Sequence, residues 1–299
     1  WYFNLKKEVP AAIYKSSVKE KIRAFRKIIK ENGVDTVHTH FTDMKTDMCV
    51  NIACLGLHVK KFKHYRSSFG SFGTIKKFFA RLCYRSWNAV ICVSPHTLRE
   101  AESNIVSCKP VLLNDAVYFP RMDNYEKLCK PDLGVPESAV LCFAIGYDYR
   151  LKGIDLACEA VKKLRDEGQN IYLAVCTASN TQTIAEQIRA QFGEFPEWLK
   201  LLPPRQDIAS YYRAADIYIQ ASRSEGFCYA IVEAAYCGKT VVASDCPGMK
   251  SHAEKNFDFL WFKNGDSDSL SEKLGQAVKM SESSELSSKN RRAAMTTTQ

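Results

Sequence analysis

Apolar residues in this 299-residue chain follow two rhythms. In one they recur three and four apart, as one face of a helix requires. In the other they gather in short runs, such as Ala89–Val93, Val140–Ile145 and Ile171–Cys176, as strands buried on both faces require. Ser17-x-x-Glu20 has the form of a capping box and precedes Val18, Ile22, Phe25 and Ile29 at helical spacing, with Gly33 as the stop. Val34–Phe41 then reads as a strand, 43–57 as a helix and Phe62–Tyr65 as a short strand. Thr74 to Trp87 reads as a helix, and Ala89–Val93 and Pro110–Asn114 as strands. A second series begins with strand Val140–Ile145 and helix Ile154–Glu167. It continues through strand Ile171–Cys176, helix Thr183–Phe192, strand Leu199–Leu202, helix Asp207–Ala214 and strand Ile217–Gln220. Helix Phe227–Cys237, strands Val241–Ser244 and Phe259–Phe262, and a closing helix Ser269–Met280 complete it.

Strands and helices that alternate in this way predict an α/β protein built from βαβ units on parallel sheets. Residues 118–137 break the rhythm with Pro120, Pro131 and Pro136 among mixed charges. The expected organisation is a first Rossmann-like domain over 1–119, a linker over 120–137, a second such domain over 138–280, and a helical tail over 281–299. The length suits two domains, since one core seldom grows past about 250 residues.

Composition adds three constraints. With 46% hydrophobic and 25% charged residues the balance is that of a globular protein, and no apolar run approaches a bilayer span. The Lys-rich start (Lys6, Lys7) meets no apolar core long enough for a secretory leader, so none is expected. The twelve cysteines include no Cys-x-x-Cys pair and fall mainly within apolar runs, as Cys92 and Cys142 do. They read as small hydrophobes in a reducing cytoplasm rather than as disulfides or metal ligands. The net charge of +9 is uneven: residues 1–110 hold 20 Lys or Arg against 8 Asp or Glu, while the remainder is slightly acidic. The first half is therefore expected to face something anionic.

Two segments carry chemistry. In the first, Ser222-Arg-Ser-Glu-Gly-Phe-Cys-Tyr-Ala-Ile-Val-Glu-Ala-Ala-Tyr-Cys-Gly238 places a loop with Gly226 between a strand and a helix. Unpaired N–H groups at such a helix start bind phosphates, and glycine permits a close approach. Glu225 stands before the helix and Glu233 within it, too far apart to share a proton and so suited to separate contacts. In the second, Ala144-Ile-Gly-Tyr-Asp-Tyr-Arg-Leu-Lys-Gly-Ile-Asp-Leu156 sets Gly146, Arg150 and Lys152 before another helix, where cations can neutralise a diphosphate leaving group.

The first segment, with Asp216, Ala234 and the following Val241–Ser244 strand, resembles the retaining glycosyltransferases of the family 4 type, whose fold is GT-B. In that fold two Rossmann-like domains with parallel sheets face a cleft. Lys152-Gly153 is similar to the family's Lys-Gly on the diphosphate, while Tyr147 occupies the place of its Arg. Val90–Ser94 and Leu113–Pro120 resemble two further family segments, with Asp115 in place of the usual Gly. Asp35-Thr-Val-His-Thr-His40 resembles the family's Asp-x-Val-His-x-His strand end. His64 or Arg66 stands near the position of a family His that approaches the donor sugar. The family's opening strand and glycine-rich loop have no counterpart in 1–33, so the first domain is expected to be truncated at its N-terminus.

The resemblance implies transfer of a sugar, with retained configuration, from a nucleoside-diphosphate sugar to a glycan or lipid-linked acceptor. A UDP-sugar is the expected donor, with neither cofactor nor metal. Glu225, Lys152 and Arg150 would be catalytic. Gly146, Gly226, Phe227, Cys228, Tyr229 and Glu233 would hold the donor, Glu233 on the ribose, with the base read around Leu201–Arg205. His40 and Arg66 would lie on the acceptor side. Polysaccharide assembly in the cytoplasm follows as an expectation. Two alternatives stay open: a catalytically impaired GT-B partner subunit or fragment that binds nucleotide sugar without transfer, to which the departures at Tyr147 and Asp115 point, and a nucleotide-sugar epimerase of GT-B fold.

Residues 59–85 form a basic, aromatic block with Lys60, Lys61, Lys63, Arg66, Lys76, Lys77, Arg81 and Arg85 among Phe62, Phe69, Phe72, Phe78 and Phe79. Ile75, Phe78, Phe79 and Leu82 make one helical stripe. The commoner use of such a stripe is packing on the core, which is the favoured expectation. The other reading is peripheral contact with anionic lipid at the inner face of the plasma membrane. No nucleic-acid motif is present, and no nucleic-acid partner is expected.

Overall fold

The computed structural model describes residues 17–40, 43–68, 70, 72–105, 107–177, 180–252, 257–280 and 285–296. The expectations that rest on 1–16, on Phe41 and on Phe69 lie outside the described residues. The chain divides into two compact units, Trp1–Asn114 and Asp115–Gln299.

The first unit carries β1 (Thr36–Thr39), β2 (Lys60–Tyr65), β3 (Ala89–Cys92) and β4 (Pro110–Leu112) in that spatial order, all parallel. Helices α1 (Val18–Glu31), α2 (Met44–Ala53), α3 (Thr74–Tyr84) and α4 (Pro95–Asn104) connect or flank them. The α1 capping box forms as its sequence requires: the Ser17 side chain accepts from the Glu20 N–H, and Glu20 accepts from the Ser17 N–H at 2.8 Å. Beneath the sheet, the fully buried Asp47 carboxylate accepts from Thr39 at 2.9 Å and Tyr84 at 2.7 Å, and pairs with Lys63 at 2.7 Å. One acid thus ties β1, β2, α2 and α3 together.

Helix α3 reverses the favoured expectation for its apolar stripe. Ala80, Cys83 and Tyr84 face the core, while Ile75, Phe78, Phe79 and Leu82 are 76%, 60%, 45% and 53% exposed. Ala80 and Cys83 are small enough to let the helix lie close to the core and α2, and the bulky residues occupy the opposite side of the same helix. Among the described residues no helix is long and apolar enough to cross a membrane.

The second unit has six parallel strands in the order β10-β9-β8-β5-β6-β7. They are β5 (Val140–Ile145), β6 (Ile171–Cys176), β7 (Leu199–Leu202), β8 (Ile217–Gln220), β9 (Thr240–Ser244) and β10 (Leu260–Phe262). The helices are α5 (Ile154–Asp166), α6 (Thr181–Phe192), α7 (Ala209–Ala214), α8 (Tyr229–Tyr236), α9 (Pro247–Lys250), α10 (Ser267–Met280) and α11 (Glu285–Thr296). Strands β6, β8 and β9 are buried along their whole length, which explains their apolar runs, with Gln220, Thr240 and Ser244 as polar residues at the ends of β8 and β9. The chain winds from β5 to β6 and β7 on one side, then returns to lay β8 against the other side of β5. In open α/β sheets ligands bind at such a reversal, beyond the carboxyl ends of the strands.

Residues 115–137, read from sequence as the end of the first domain and a linker, belong to the second unit. Phe119 and Met122 are buried, Phe119 stacks on Tyr236 at 4.3 Å, and Asp123 accepts from the Tyr236 hydroxyl at 2.9 Å. Pro120 and Pro131 start short 3-10 turns, Phe119–Met122 and Pro131–Leu133, and the first of these buries Phe119 and Met122. All twelve cysteines are free, and ten are buried.

Asp47→Ala removes the carboxylate that neutralises buried Lys63, and should cost about 3–5 kcal/mol. Urea unfolding followed by circular dichroism should show a lower midpoint for the first unit.

Candidate functional site

The loops that leave β5 and β8 are adjacent because those strands are neighbours. In the first loop, Asp148 accepts from the N–H groups of Arg150 at 3.1 Å and Leu151 at 2.7 Å, folding the chain back before α5. Gly153 ends this loop with φ +66°, and a Cβ there would lie 1.9 Å from the Ala221 carbonyl oxygen. No other residue fits. The Arg223 N–H donates to the Leu151 carbonyl at 2.9 Å, stitching the second loop to the first.

This stitching brings Lys152 to Glu225, Nζ to Oε1, at 2.7 Å. Both side chains are largely buried, 15% and 12% exposed. The same carboxylate oxygen accepts from Ser222 at 2.7 Å, and Gln220 approaches at 3.4 Å. Behind it runs a buried relay in which Tyr218 donates to Gln220 at 2.6 Å and Gln220 to Ser222 at 2.7 Å. Burial pulls the Lys152 pKa down, but the charge and hydrogen bond of Glu225 outweigh it, and the net displacement is upward. Lys152 is therefore a secure cation. Its ammonium also lies 5.1 Å from the centre of the Tyr147 ring, so the residue in the family's Arg position supplies a π face rather than a second charge.

Arg150 is placed elsewhere. Its guanidinium pairs with Asp155 at 2.7 Å on the first turn of α5, and its side chain is 74% exposed. Arg223 binds both oxygens of the same carboxylate, at 2.8 and 2.7 Å. Asp155 is 1% exposed, so two arginines serve to fix the loops around one buried acid. Neither Asp155 nor Arg223 was singled out from sequence. Asp155 at the start of a helix and Arg223 before Glu225 were the available signals.

Gly146 closes β5, and a Cβ there would meet Ile154 Cδ1 at 2.9 Å and Lys152 Cβ at 3.0 Å. Gly226 and Phe227 follow Glu225 in a bend, and α8 begins at Tyr229, not at Phe227 as the pattern predicts. The reason is Cys228, which has φ +64° and interrupts the helical geometry. It is the non-glycine residue with positive φ among the described residues, and burial holds its thiol well above the usual range. Gly248, at the start of α9, is a further glycine the sequence reading missed. A Cβ on it would lie 1.9 Å from the Glu225 carbonyl oxygen, so its bareness sets where Glu225 stands.

Glu233 is 5% exposed on α8. Its carboxylate pairs with Arg121 and accepts from Tyr212 at 3.2 Å. Tyr229 donates to Asp115. In the loop after β7, Arg205 is held by Asp207 and Glu126, which raise its pKa, while the hydrogen bonds from Arg205 and then Ser210 lower that of Asp207. In the first unit, His40 lies against His38 and His64 with ring centres 4.4 and 4.8 Å away, and Arg66 is close enough to lower the His38 pKa beneath the larger effect of burial.

A doubly wound second unit with a paired Lys and Glu at its strand reversal, together with a smaller parallel-sheet unit, defines a protein of the GT-B class. The glycosyltransferase of Rickettsia africae superposes on 94% of this chain and 76% of its own with a TM-score of 0.75 at 19% identity. Anabaena Alr3699/HepE, crystallised with UDP and glucose, gives 0.77 at 17% identity over 94% of this chain and 79% of its own.

The sequence model of the family Glycosyl transferases group 1 matches residues 129–294, more than half of the chain, and the chain belongs to that family. Among curated relatives, N,N'-diacetylbacillosaminyl-diphospho-undecaprenol alpha-1,3-N-acetylgalactosaminyltransferase of Campylobacter jejuni is 38% identical over 73 residues, 24% of this chain and 19% of that protein. A human phosphatidylinositol N-acetylglucosaminyltransferase component is 25% identical over 248 residues, 79% of this chain and 48% of that protein. The chain spans between about a fifth and about half of the length of these two relatives.

Gly248→Ala should force the Glu225 backbone aside and cost about 1–3 kcal/mol. Cys228→Gly should relieve the left-handed backbone and stabilise by about 1 kcal/mol. Thermal unfolding of the two variants should move in opposite directions.

Proposed function

We propose that this protein transfers a sugar from a nucleoside-diphosphate sugar to a glycan or lipid-linked acceptor, with retention of configuration and without a metal. The observation that carries the reading is the Lys152–Glu225 pair at the mouth of β5 and β8. Departure of the diphosphate develops negative charge on its oxygens. Lys152, held cationic in a largely buried place, is preorganised to stabilise that charge. The N–H groups at the start of α8 add to it. Glu225, oriented by Ser222 and Gln220, contacts hydroxyls of the donor sugar, and Glu233 those of the ribose. Arg150 acts by fixing the loop through Asp155 rather than by touching the diphosphate. UDP is the favoured nucleotide, since the Anabaena structure described above was obtained with UDP. The names of the Campylobacter and human relatives support an acceptor built on a lipid.

Thermal-shift measurements with UDP-, GDP- and ADP-sugars, followed by a transfer assay and NMR of the product anomer, test this reading. UDP-sugars should raise the unfolding temperature and the product should keep the donor's configuration. Lys152→Ala should lower turnover about 10²–10³-fold, as loss of one charge-stabilising donor does. Glu225→Ala should abolish transfer yet retain UDP, because the lost carboxylate competes with the diphosphate for Lys152. Wild-type turnover in both variants would refute the site.

A second reading rests on α3. Its outward stripe of Ile75, Phe78, Phe79 and Leu82 is flanked by Lys77, Arg81 and Arg85. Apolar residues beside cations fit an anionic lipid surface, where the rings enter the headgroup boundary and the cations meet phosphates. Phe78→Ser should weaken sedimentation with phosphatidylglycerol vesicles about tenfold, from the apolar area it withdraws. Equal sedimentation of variant and wild type would remove the membrane role and leave the donor site untouched.

A further inference from the structure

The first unit gathers three histidines that lie outside the Lys152–Glu225 site. In the parallel pairing of β1 with β2, His38 stands opposite Phe62 and Thr39 opposite Lys63. Carrying that register one step further sets His40 beside His64. Side chains alternate along a strand. Thr39 and Lys63 therefore share one face, where they meet Asp47, while His38, His40 and His64 share the other.

The three rings are close on every side. Their centres are 4.4 Å apart for His38 and His40, 4.8 Å for His40 and His64, and 5.3 Å for His38 and His64. One ring nitrogen from each lies within 4.8 Å of the others. His64 is buried, whereas His38 and His40 are exposed and can turn about their side-chain bonds.

We propose that His38, His40 and His64 form a three-imidazole site for one divalent transition metal ion, with zinc as the ion that fits. Imidazole suits zinc, copper and nickel, and tetrahedral zinc with bonds of about 2.0–2.1 Å sets its nitrogens about 3.4 Å apart. The present spacing needs a contraction of roughly 1.4 Å at most to reach that geometry. Rotation of the two exposed rings toward the buried one supplies it. His64 is the fixed ligand and the other two close on it.

Arg66 interacts electrostatically with His38 and repels a cation, so it opposes affinity. Three protein ligands leave the fourth position of zinc to water or to an oxygen of a bound molecule. A stacked imidazole cluster with no metal is the competing account, and His38 and His64 do lie 12° from parallel.

Untagged, metal-stripped full chain titrated with Co²⁺ and Zn²⁺ separates the two. One Co²⁺ per chain should bind, with ligand-field absorption and no thiolate charge-transfer band, which discriminates against the twelve cysteines. The paired exposed-site variant His38→Ala/His40→Ala should keep the wild-type circular dichroism spectrum. It should lose Zn²⁺ affinity by more than about 100-fold, beyond what loss of a merely supporting partner costs. His64→Ala should lose it equally, and His64→Cys, which retains a ligand atom, should recover part of it. Absence of Co²⁺ uptake by the wild type, a thiolate spectrum, or unchanged affinity in the paired variant would each overturn the site. None of these outcomes bears on Lys152 and Glu225, so failure here leaves the transferase reading standing.

Discussion

The Lys152 ammonium and the Glu225 carboxylate come from loops more than seventy residues apart, and they meet at 2.7 Å in a place that water scarcely reaches. Two charges taken that far out of water lose more by desolvation than a loose pair returns. The pair stands only because the loops are fixed first. Parallel pairing of β5 with β8 sets their starting points. The Arg223 N–H bond to Leu151 and the double grip of Arg223 on Asp155 fix their course. Glycines at 153 and 248 let backbones pass where any side chain would collide. Remove the close approach and the charges separate; remove the charges and the close approach has no evident purpose.

The same constraint organises α8. Cys228 takes a left-handed backbone although it is not glycine, and conformations of this kind cost about 1–3 kcal/mol. The departure delays the helix to Tyr229, four residues after Glu225, and the N–H groups of its first turn have no intrahelical acceptor. Further along the helix, Glu233 is anchored by Arg121 from the segment 115–137, which also stacks Phe119 on Tyr236. The irregular segment thus braces the helix that carries the second acid. In the proposed reaction, a donor reaching Glu233 would share or displace Arg121, and Arg121, 53% exposed in its side chain, has room to move.

Much of this was legible in the sequence. Buried parallel strands write themselves as apolar runs, so β5, β6 and β8 lie where the pattern puts them. Glycines and strand ends bracket Lys152 and Glu225 in the sequence, and the structure brings these two side chains together. Arg150 lies apart from that pair, on Asp155. A cation beside Lys152 in a loop looks like a phosphate ligand, but a loop directs successive side chains in different directions, and Asp155 is the acid within reach. Gly248 was invisible for a related reason: its contact is with Glu225, in the loop of a neighbouring strand, and nothing local marks it.

Periodicity also leaves a sign undetermined. The stripe at Ile75, Phe78, Phe79 and Leu82 is a real helical face, yet the pattern states only that these residues lie together. The core took the opposite face, with Ala80, Cys83 and Tyr84, whose hydroxyl reaches the buried Asp47. In β1 and β2 the same ambiguity is one of parity. His-x-His on a strand says that both rings share a face, and only the register with β2 adds His64 to them rather than Lys63. Lys63 instead turns to Asp47, which needs a cation in a dry interior, and that demand fixes the parity of both strands. A buried acid on one side of the sheet therefore decides which residues stand together on the other.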